Sequence, residues 1–371
     1  MTNLTSLDLT EVFIKEGVLD KMTQLVELNL NLNRHVFGYT LRKLTNLRTL
    51  SLEGNTIIKD EDIICLPLRS LSLVRNTTIT PFVLGKLNLT HLNMESAMSS
   101  LTNELIHCTS LTDLHFTSQY RLRDPCRETI GKMTWLRKLI SDDKQLLIFH
   151  LNQLTNLTYL ERNALDGHIG AASLMSLQTL IVTGRCHPDI KFPLCPLENL
   201  THLEIENYAH LNVCYLRNLT HLNVRVTHLP SNRELGEFKR LKKLIVSHNL
   251  DSSVRSRCSE GIDISVMSSL ISLEILFCGV DMYFHMGRDG FVSLSLEQLR
   301  IETFGSNIDD STLLRIPNLK YLRIGTDSCP RVTGVCFGSL AKLFEVSIGA
   351  SDNLEEGCID SLRRRGIIIK R

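Results

Sequence analysis

The chain has 371 residues, of which 43% are hydrophobic and 22% are charged, and its formal net charge is +1. This balance argues against broad binding of a nucleic-acid backbone, which requires a strongly basic face. The sequence has no run of 18 apolar residues and no apolar leader preceded by Lys or Arg, so we expect a cytoplasmic protein that does not bind membranes.

A six-residue phrase, L-x-x-L-x-L, recurs sixteen times between Leu4 and Ile348, mostly at intervals of 19 to 25 residues. Along a helix, offsets 0, 3 and 5 would point in different directions, whereas offsets 3 and 5 share one face of a strand. Each phrase is therefore predicted to be a short strand entered through a buried Leu. In chain order, the phrases begin at Leu4, Leu25, Leu47, Leu68, Leu89, Leu111, Leu136, Leu157, Leu177, Leu200, Leu219, Leu241, Leu273, Leu296, Leu319 and Leu343.

So short a strand cannot offset its own ordering entropy, but parallel stacking satisfies the backbone and buries the Leu rows against one another. The pattern predicts an α/β solenoid of about 16 repeats, curved and elongated, with a parallel sheet on its concave face. Units of this length leave room on the convex face mostly for extended or 3₁₀ turns and short helices.

The phrase, its period and a following asparagine resemble the leucine-rich repeat proteins, in their short, internalin-like subclass. Asn33, Asn55, Asn76 and Asn249 each stand three residues after a phrase. The resemblance implies that these side chains tie adjacent turns together. Most other repeats lack this asparagine, so we expect an irregular array.

We expect one continuous domain over residues 1–371, because neither a linker nor a charge block divides the chain. Two features interrupt it. A polar stretch at about 249–262 is predicted to be an inserted loop. Near 140–165, the last phrase position is polar in two successive repeats, at Ser141 and Arg162. We expect the register to shift there or Arg162 to escape to an edge, either as an irregular repeat or as a hinge.

The eleven cysteines show neither zinc spacing nor paired clusters, which predicts reduced, mostly buried thiols and no metal cofactor. The N-terminal Leu row has no polar cap, so self-association through that edge is one hypothesis. The basic run Arg363 to Arg365 is interpreted as a solvated cap, with a nuclear-import or anionic-surface signal as the alternative.

The side chains that flank the middle Leu of each phrase should project from the concave face and form the surface offered to a ligand. Aromatic, aliphatic and Arg side chains gather there from Tyr159 onward, and that mixture is typical of binding hot spots. An alternative buries Phe277 under the inserted loop, and a second lets His202 and His221 share a metal with Glu204. The predicted partner-binding residues are Tyr159, His202, His221, Lys243, Ile245, Ile275, Phe277, Arg300, Tyr321 and Arg323.

No motif for catalysis or cofactor binding is present, and the segment Cys186 to Asp189 has suitable residue types without triad geometry. The sequence therefore predicts a non-catalytic scaffold that binds a protein partner through the concave face. The alternatives are a regulatory or targeting subunit of an enzyme and a structural component of a larger assembly, including a pathogen effector or a virion-associated protein.

Overall fold

A computed structural model describes most of the chain, and it separates into two compact units, Met1–Leu177 and Gln178–Arg371. The division falls within a repeat, between its first Leu and its strand. The prediction of a single domain remains a prediction. The described residues are 3–15, 17–95, 103–117, 124–143, 146, 148–163, 174–184, 197–208, 216–226, 231–248, 262–276, 284–285, 293, 295–302, 306–326, 328–349, 354–355 and 357–370.

The first unit is a parallel sheet in which each strand pairs with the strand of the next repeat. The strands are β1 (Ser6–Asp8), β2 (Glu27–Asn29), β3 (Thr49–Ser51), β4 (Ser70–Ser72), β5 (His91–Asn93), β6 (Asp113–Phe116), β7 (Lys138–Ser141) and β8 (Tyr159–Arg162). The helices between them are α1 (Gly38–Leu41), α2 (Asp60–Ile63), α3 (Pro81–Leu84), α4 (Asp124–Lys132) and α5 (Ile148–Leu151), with 3₁₀ turns at Leu19–Lys21 and Asn103–His107.

The second unit repeats this architecture, and its longest strand has seven residues. Its parallel sheet contains β9 (Thr179–Val182), β10 (His202–Tyr208), β11 (His221–Val226), β12 (Lys243–His248), β14 (Ser272–Leu276), β16 (Gln298–Glu302), β17 (Tyr321–Ile324), β18 (Glu345–Ile348) and β19 (Ile368–Lys370). A separate pair joins β13 (Ile262–Asp263) to β15 (Phe284–His285). The helices are α6 (Asn232–Glu237), α7 (Asp310–Leu314) and α8 (Cys358–Arg364), with 3₁₀ turns at Ile264–Val266 and Val335–Ser339.

The hydrophobic core of each unit consists of the leucine rows that the phrase predicts. Middle leucines lie opposite one another in register, as Leu28 and Leu50 do in the first unit and Leu203 and Leu222 do in the second. All four are at most 2% exposed. Complete burial of a Leu side chain contributes on the order of 2 kcal/mol, so stacking stabilises strands too short to stand alone. The predicted parallel, leucine-stacked architecture is confirmed.

The three described asparagines that follow a phrase, Asn33, Asn55 and Asn76, form a buried ladder. The Nδ2 of Asn55 donates to the carbonyls of Leu30 (3.1 Å) and Asn33 (2.9 Å), both in the preceding repeat. Its Oδ1 accepts from two backbone N–H groups of its own turn, at 2.9 and 3.0 Å. Asn33 and Asn76 make the same four-bond pattern. Asn249 lies outside the described residues.

The prediction for Arg162, a register shift or a position at an edge, is wrong. Arg162 is buried at 2% exposure, and the strand register does not shift. Ser141 of β7 lies directly opposite Arg162 of β8. The guanidinium Nη2 donates to the carbonyl oxygens of Leu146 (2.7 Å) and Asp143 (3.3 Å). Backbone carbonyls of the neighbouring turn thus stabilise the charge that hydropathy alone would place at an edge.

The predicted start of the phrase at Leu273 is also wrong. In the structure this phrase begins three residues earlier, at Leu270. Leu273 is the middle residue, opposite Leu244 of β12. Ile275 is therefore a core side chain with 0% exposure and not part of a binding surface. Both registers fit the phrase, but the earlier one also buries Met267 and Leu270, each at 1% exposure. The predicted insertion at 249–262 lies outside the described residues except for Ile262.

Candidate functional site

The sheet face consists of the side chains that alternate with the buried positions of each strand, and in the first unit several of these side chains contact one another. Asn29 donates to the Asp8 carboxylate at 3.0 Å. The Lys138 ammonium lies over the ring of Tyr159, 4.6 Å from its centroid, and the Tyr159 hydroxyl donates to Glu161 at 2.7 Å. The predicted site residue Tyr159 thus belongs to this first sheet.

His202 and His221 face outward on adjacent strands of the second unit. Their rings stack at 4.0 Å between centroids with 10° between their planes. Burial lowers the pKa of His221, and the neighbouring His202, Lys243 and Lys242 lower it further. Because the neighbouring cations would repel a positive charge on His221, the site favours the neutral form of that ring. The described residues contain no cluster of three metal-ligating side chains.

A chain of five ion-paired side chains crosses the sheet face of the second unit, and we call it the charged lane. Its members are Lys243, Glu274, Arg300, Glu302 and Arg323. Glu274 pairs with Lys243 at 3.0 Å and with Arg300 at 3.3 Å. Glu302 pairs with Arg300 at 2.9 Å and with Arg323 at 2.8 Å. Glu274 thus joins cations from the two strands that flank its own, and Glu302 joins Arg300 of its own strand to Arg323 of the next.

The two carboxylates of the lane are the least exposed of its charged groups. The side chain of Glu274 is 18% exposed and that of Glu302 is 14% exposed, whereas Arg323 is 56% exposed. Solvent screens a half-buried pair less than a surface pair, so these Glu residues attract their cations more strongly than fully exposed carboxylates would. The cationic ends of the lane are consequently the parts presented to solvent.

A cleft of about 240 Å³ lies beside the lane, and we call it the unit 2 cleft. Tyr321 lines it and is 41% exposed, with its ring at 70° to that of the exposed Phe344 and 5.9 Å between the two centroids. Beyond Tyr321 and the lane residues Glu274, Arg300 and Arg323, the polar lining comes from Ser272, Gln298, Glu345, Ser347 and Lys370.

The structure brings together four of the predicted binding residues, namely Lys243, Arg300, Tyr321 and Arg323. Ile245 also lies on this sheet, between Asn223 and Glu274 in register. Phe277 lies outside the described residues, so the alternative that buries it under the inserted loop stays a prediction.

Sequence reasoning missed the two carboxylates that organise the lane. Glu274 was hidden by the three-residue register error around Leu273. Glu302 lies one residue beyond the core Ile301, where β16 is longer than the phrase. Counting Met267 and Leu270 as the approach to their strand would have revealed Glu274.

Buried cysteines in both units are protonated thiols rather than nucleophiles. The five cysteines that the structure describes are free of disulfides. Burial raises the pKa of Cys108 to about 11, and it raises that of Cys329 to about 11 as well. Burial also raises the pKa of Cys336, which accordingly remains protonated. Reactivity requires the thiolate, so these positions are inert.

None of the helices within the described ranges is both long enough and apolar enough to cross a membrane. The longest of them, α4, has nine residues.

Several solved structures share this fold. A leucine-rich repeat protein from Leptospira interrogans matches 100% of this chain and 96% of its own, with 16% identity and a TM-score of 0.55. TLR13 in a complex with ssRNA13 matches 94% of this chain and 63% of its own, with 14% identity and a TM-score of 0.53. No protein-family model matches the chain, and no curated protein matches it.

A third structure is the leucine-rich repeat ectodomain of the plant receptor kinase GASSHO1/SCHENGEN3 from Arabidopsis thaliana, in complex with Casparian strip integrity factor 2. It matches 94% of this chain and 44% of its own, with 18% identity and a TM-score of 0.50. At these identities the likeness concerns the fold. Together with the stacked parallel strands, it establishes that the chain has the leucine-rich repeat fold.

Proposed function

We propose that the chain is a non-catalytic scaffold that binds a protein partner through the sheet face of its second unit. The observation that carries this proposal is the charged lane, which lies beside a cleft lined by the exposed Tyr321, whose ring contacts that of Phe344. Arg and Tyr are enriched among the residues that dominate protein interfaces. In the described part of the first unit, the sheet-face contacts are local instead, such as the contact of Lys138 with Tyr159.

Preorganisation of the lane supports this proposal. Immobilising a long charged side chain on binding costs about 0.5–1.5 kcal/mol. Two carboxylates already hold Arg300, and Glu302 also holds Arg323. A partner would therefore contact side chains that are already ordered, so binding would lose little further side-chain entropy.

A protein partner suits the lane better than RNA does, although the similar TLR13 structure is a complex with ssRNA13. Binding a phosphate backbone depends on cations that replace counterions. In the charged lane the cations are already paired with Glu274 and Glu302. A surface whose paired charges nearly balance suits a polypeptide with one or a few acidic groups better than a backbone that carries a negative charge at every phosphate.

The test is comparative affinity purification from the native cell with quantitative mass spectrometry. The baits are the unmodified chain, the double variant Tyr321→Ala/Arg323→Glu, and the control Lys342→Glu, which reverses an exposed charge in the turn before β18. We expect specific proteins to be lost with the double variant and kept with the control. Equal recovery on all three baits would refute the proposal.

The identity of the captured proteins also separates the remaining alternatives. An enzyme activity that co-purifies through the same face would make the chain a regulatory or targeting subunit. Co-sedimentation with a large particle would make it a structural component. In both outcomes the sheet face of the second unit remains the contact surface.

A further inference from the structure

The unit 2 cleft has the length of a short extended peptide. Its lining runs from Ser272 and Glu274 on β14, across β16, β17 and β18, to Lys370 on β19. Four strand-to-strand steps of about 4.8 Å each span about 19 Å. An extended chain rises about 3.3 Å per residue, so about six residues fill this distance.

The charges that line the cleft leave an excess of one cation. Arg300, Arg323 and Lys370 contribute positive charge, while Glu274 and Glu345 contribute negative charge. Adding the remaining members of the charged lane, one Lys and one Glu, keeps the excess at one. The lining can thus accept one anionic group and remain close to electrical balance.

The accessible cations stand at the end of the cleft farthest from Ser272. In strand register, Arg323 lies opposite Ser347 and Ser347 lies opposite Lys370. The Arg323 side chain is 56% exposed and that of Lys370 is 60% exposed. Because the serine between them is small, it leaves space over the sheet between two long cationic side chains.

The other end of the cleft has a polar atom that lacks a partner. Ser272 is 6% exposed, and its hydroxyl Oγ has no hydrogen-bond partner within the described part of the chain. A buried hydroxyl without a partner is unfavourable, because it has lost its hydrogen bonds to water. A backbone carbonyl or N–H group of a bound peptide would satisfy it.

We propose that the unit 2 cleft binds an acidic, extended segment of a protein partner, with one carboxylate seated over Ser347 between Arg323 and Lys370. This inference rests on the proposed function and specifies the chemistry of the partner. Charge-assisted hydrogen bonds to the carboxylate supply affinity, and the Tyr321 and Phe344 rings offer an apolar contact to a neighbouring side chain of the segment. A phosphorylated segment fits less well, because Glu302 and Glu345 contact these same cations and would repel a second negative charge.

The experiment begins with selection of a phage-displayed library of random heptapeptides against the full chain. The best peptide is then synthesised with a fluorescein label, and its affinity is measured by fluorescence anisotropy. We expect enriched peptides to carry a net negative charge, and Arg323→Glu to weaken binding about tenfold or more. Arg323→Gln and Lys370→Gln should weaken it by a smaller factor, and Lys342→Glu should leave it unchanged.

The neutral variants guard against a folding artefact, because they introduce no new repulsion beside Glu302 or Glu345. Circular dichroism of each variant checks that the sheet is intact. Ser272→Ala should weaken the binding of the same peptide by a factor of a few, since the hydroxyl bond is neutral.

Enrichment of basic or uncharged peptides, absence of any enrichment, or peptide binding that Arg323→Glu leaves unchanged would overturn the inference. The proposed function itself fails if the double variant Tyr321→Ala/Arg323→Glu releases no partner protein. A partner protein that the double variant releases, but that the acidic peptide does not displace, leaves the scaffold proposal standing and removes only this inference.

Discussion

The asparagine ladder of the first unit supports a quantitative prediction for Asn55→Ala. Asn55 is 1% exposed and makes four hydrogen bonds, two donated by Nδ2 and two accepted by Oδ1. A typical bond contributes about 1 kcal/mol net, so the variant should lose about 4 kcal/mol. Because total domain stability is about 5–15 kcal/mol, the loss should be readily visible.

The assay is urea unfolding of the full chain, combined with hydrogen exchange at the Ile57 and Ile58 amides that bond to Asn55. Exchange at both amides should accelerate in Asn55→Ala. The control is Asn46→Ala, since exposed Asn46 makes one bond, to the Thr23 carbonyl at 2.9 Å, and should cost less than about 1 kcal/mol. A loss below about 1 kcal/mol for Asn55→Ala would show that the ladder does not tie the repeats together.

Three further predictions concern buried charge, backbone strain and protonation. Asp143→Ala removes the carboxylate that pairs with buried Arg127 at 3.2 Å and should cost about 3–5 kcal/mol in urea unfolding; an unchanged midpoint would contradict this. Arg75 has a positive φ of 51°, so Arg75→Gly should raise the thermal midpoint by relieving about 1 kcal/mol of strain, and a lower midpoint would refute the strain argument. His221 should titrate in NMR below its ordinary pKa and move upward in His202→Ala. The contribution of His221 to the free energy of unfolding is accordingly fully present above about pH 6.5 and is lost as pH falls from that value through the lower folded pKa. Titration of His221 at or above about pH 6.5 would contradict the stacked geometry.

The sequence predicts the repeat architecture well because the same physical requirement recurs in every unit. A strand such as β3, three residues long, has only its neighbours to bury Leu50, and this imposes the spacing. The predicted register was wrong at the repeat where the phrase fits the sequence in two ways. Leu273 satisfies the phrase as a first or as a middle residue, and the burial of Met267 decides between them.

The candidate site was only partly predictable because ion pairing depends on neighbours that lie far away in sequence. Arg300 and Arg323 could be placed on the sheet face from their phrase positions. Their shared partner Glu302 could not, because the phrase does not indicate that β16 continues past Ile301. Burial of Arg162 escaped prediction for a similar reason, since its acceptors are backbone carbonyls, which hydropathy does not describe.

The central claim is that the sheet face of the second unit, and not the opposite side of that unit, contacts the partner. Site-specific photo-crosslinking tests it directly, with p-benzoylphenylalanine introduced in place of Tyr321 or of Val335. Both side chains are exposed, at 41% and 60%, but Val335 belongs to a 3₁₀ turn outside the sheet. The account predicts a crosslinked partner from position 321 and none from position 335. Crosslinking from position 335 alone, or equally from both positions, would contradict it.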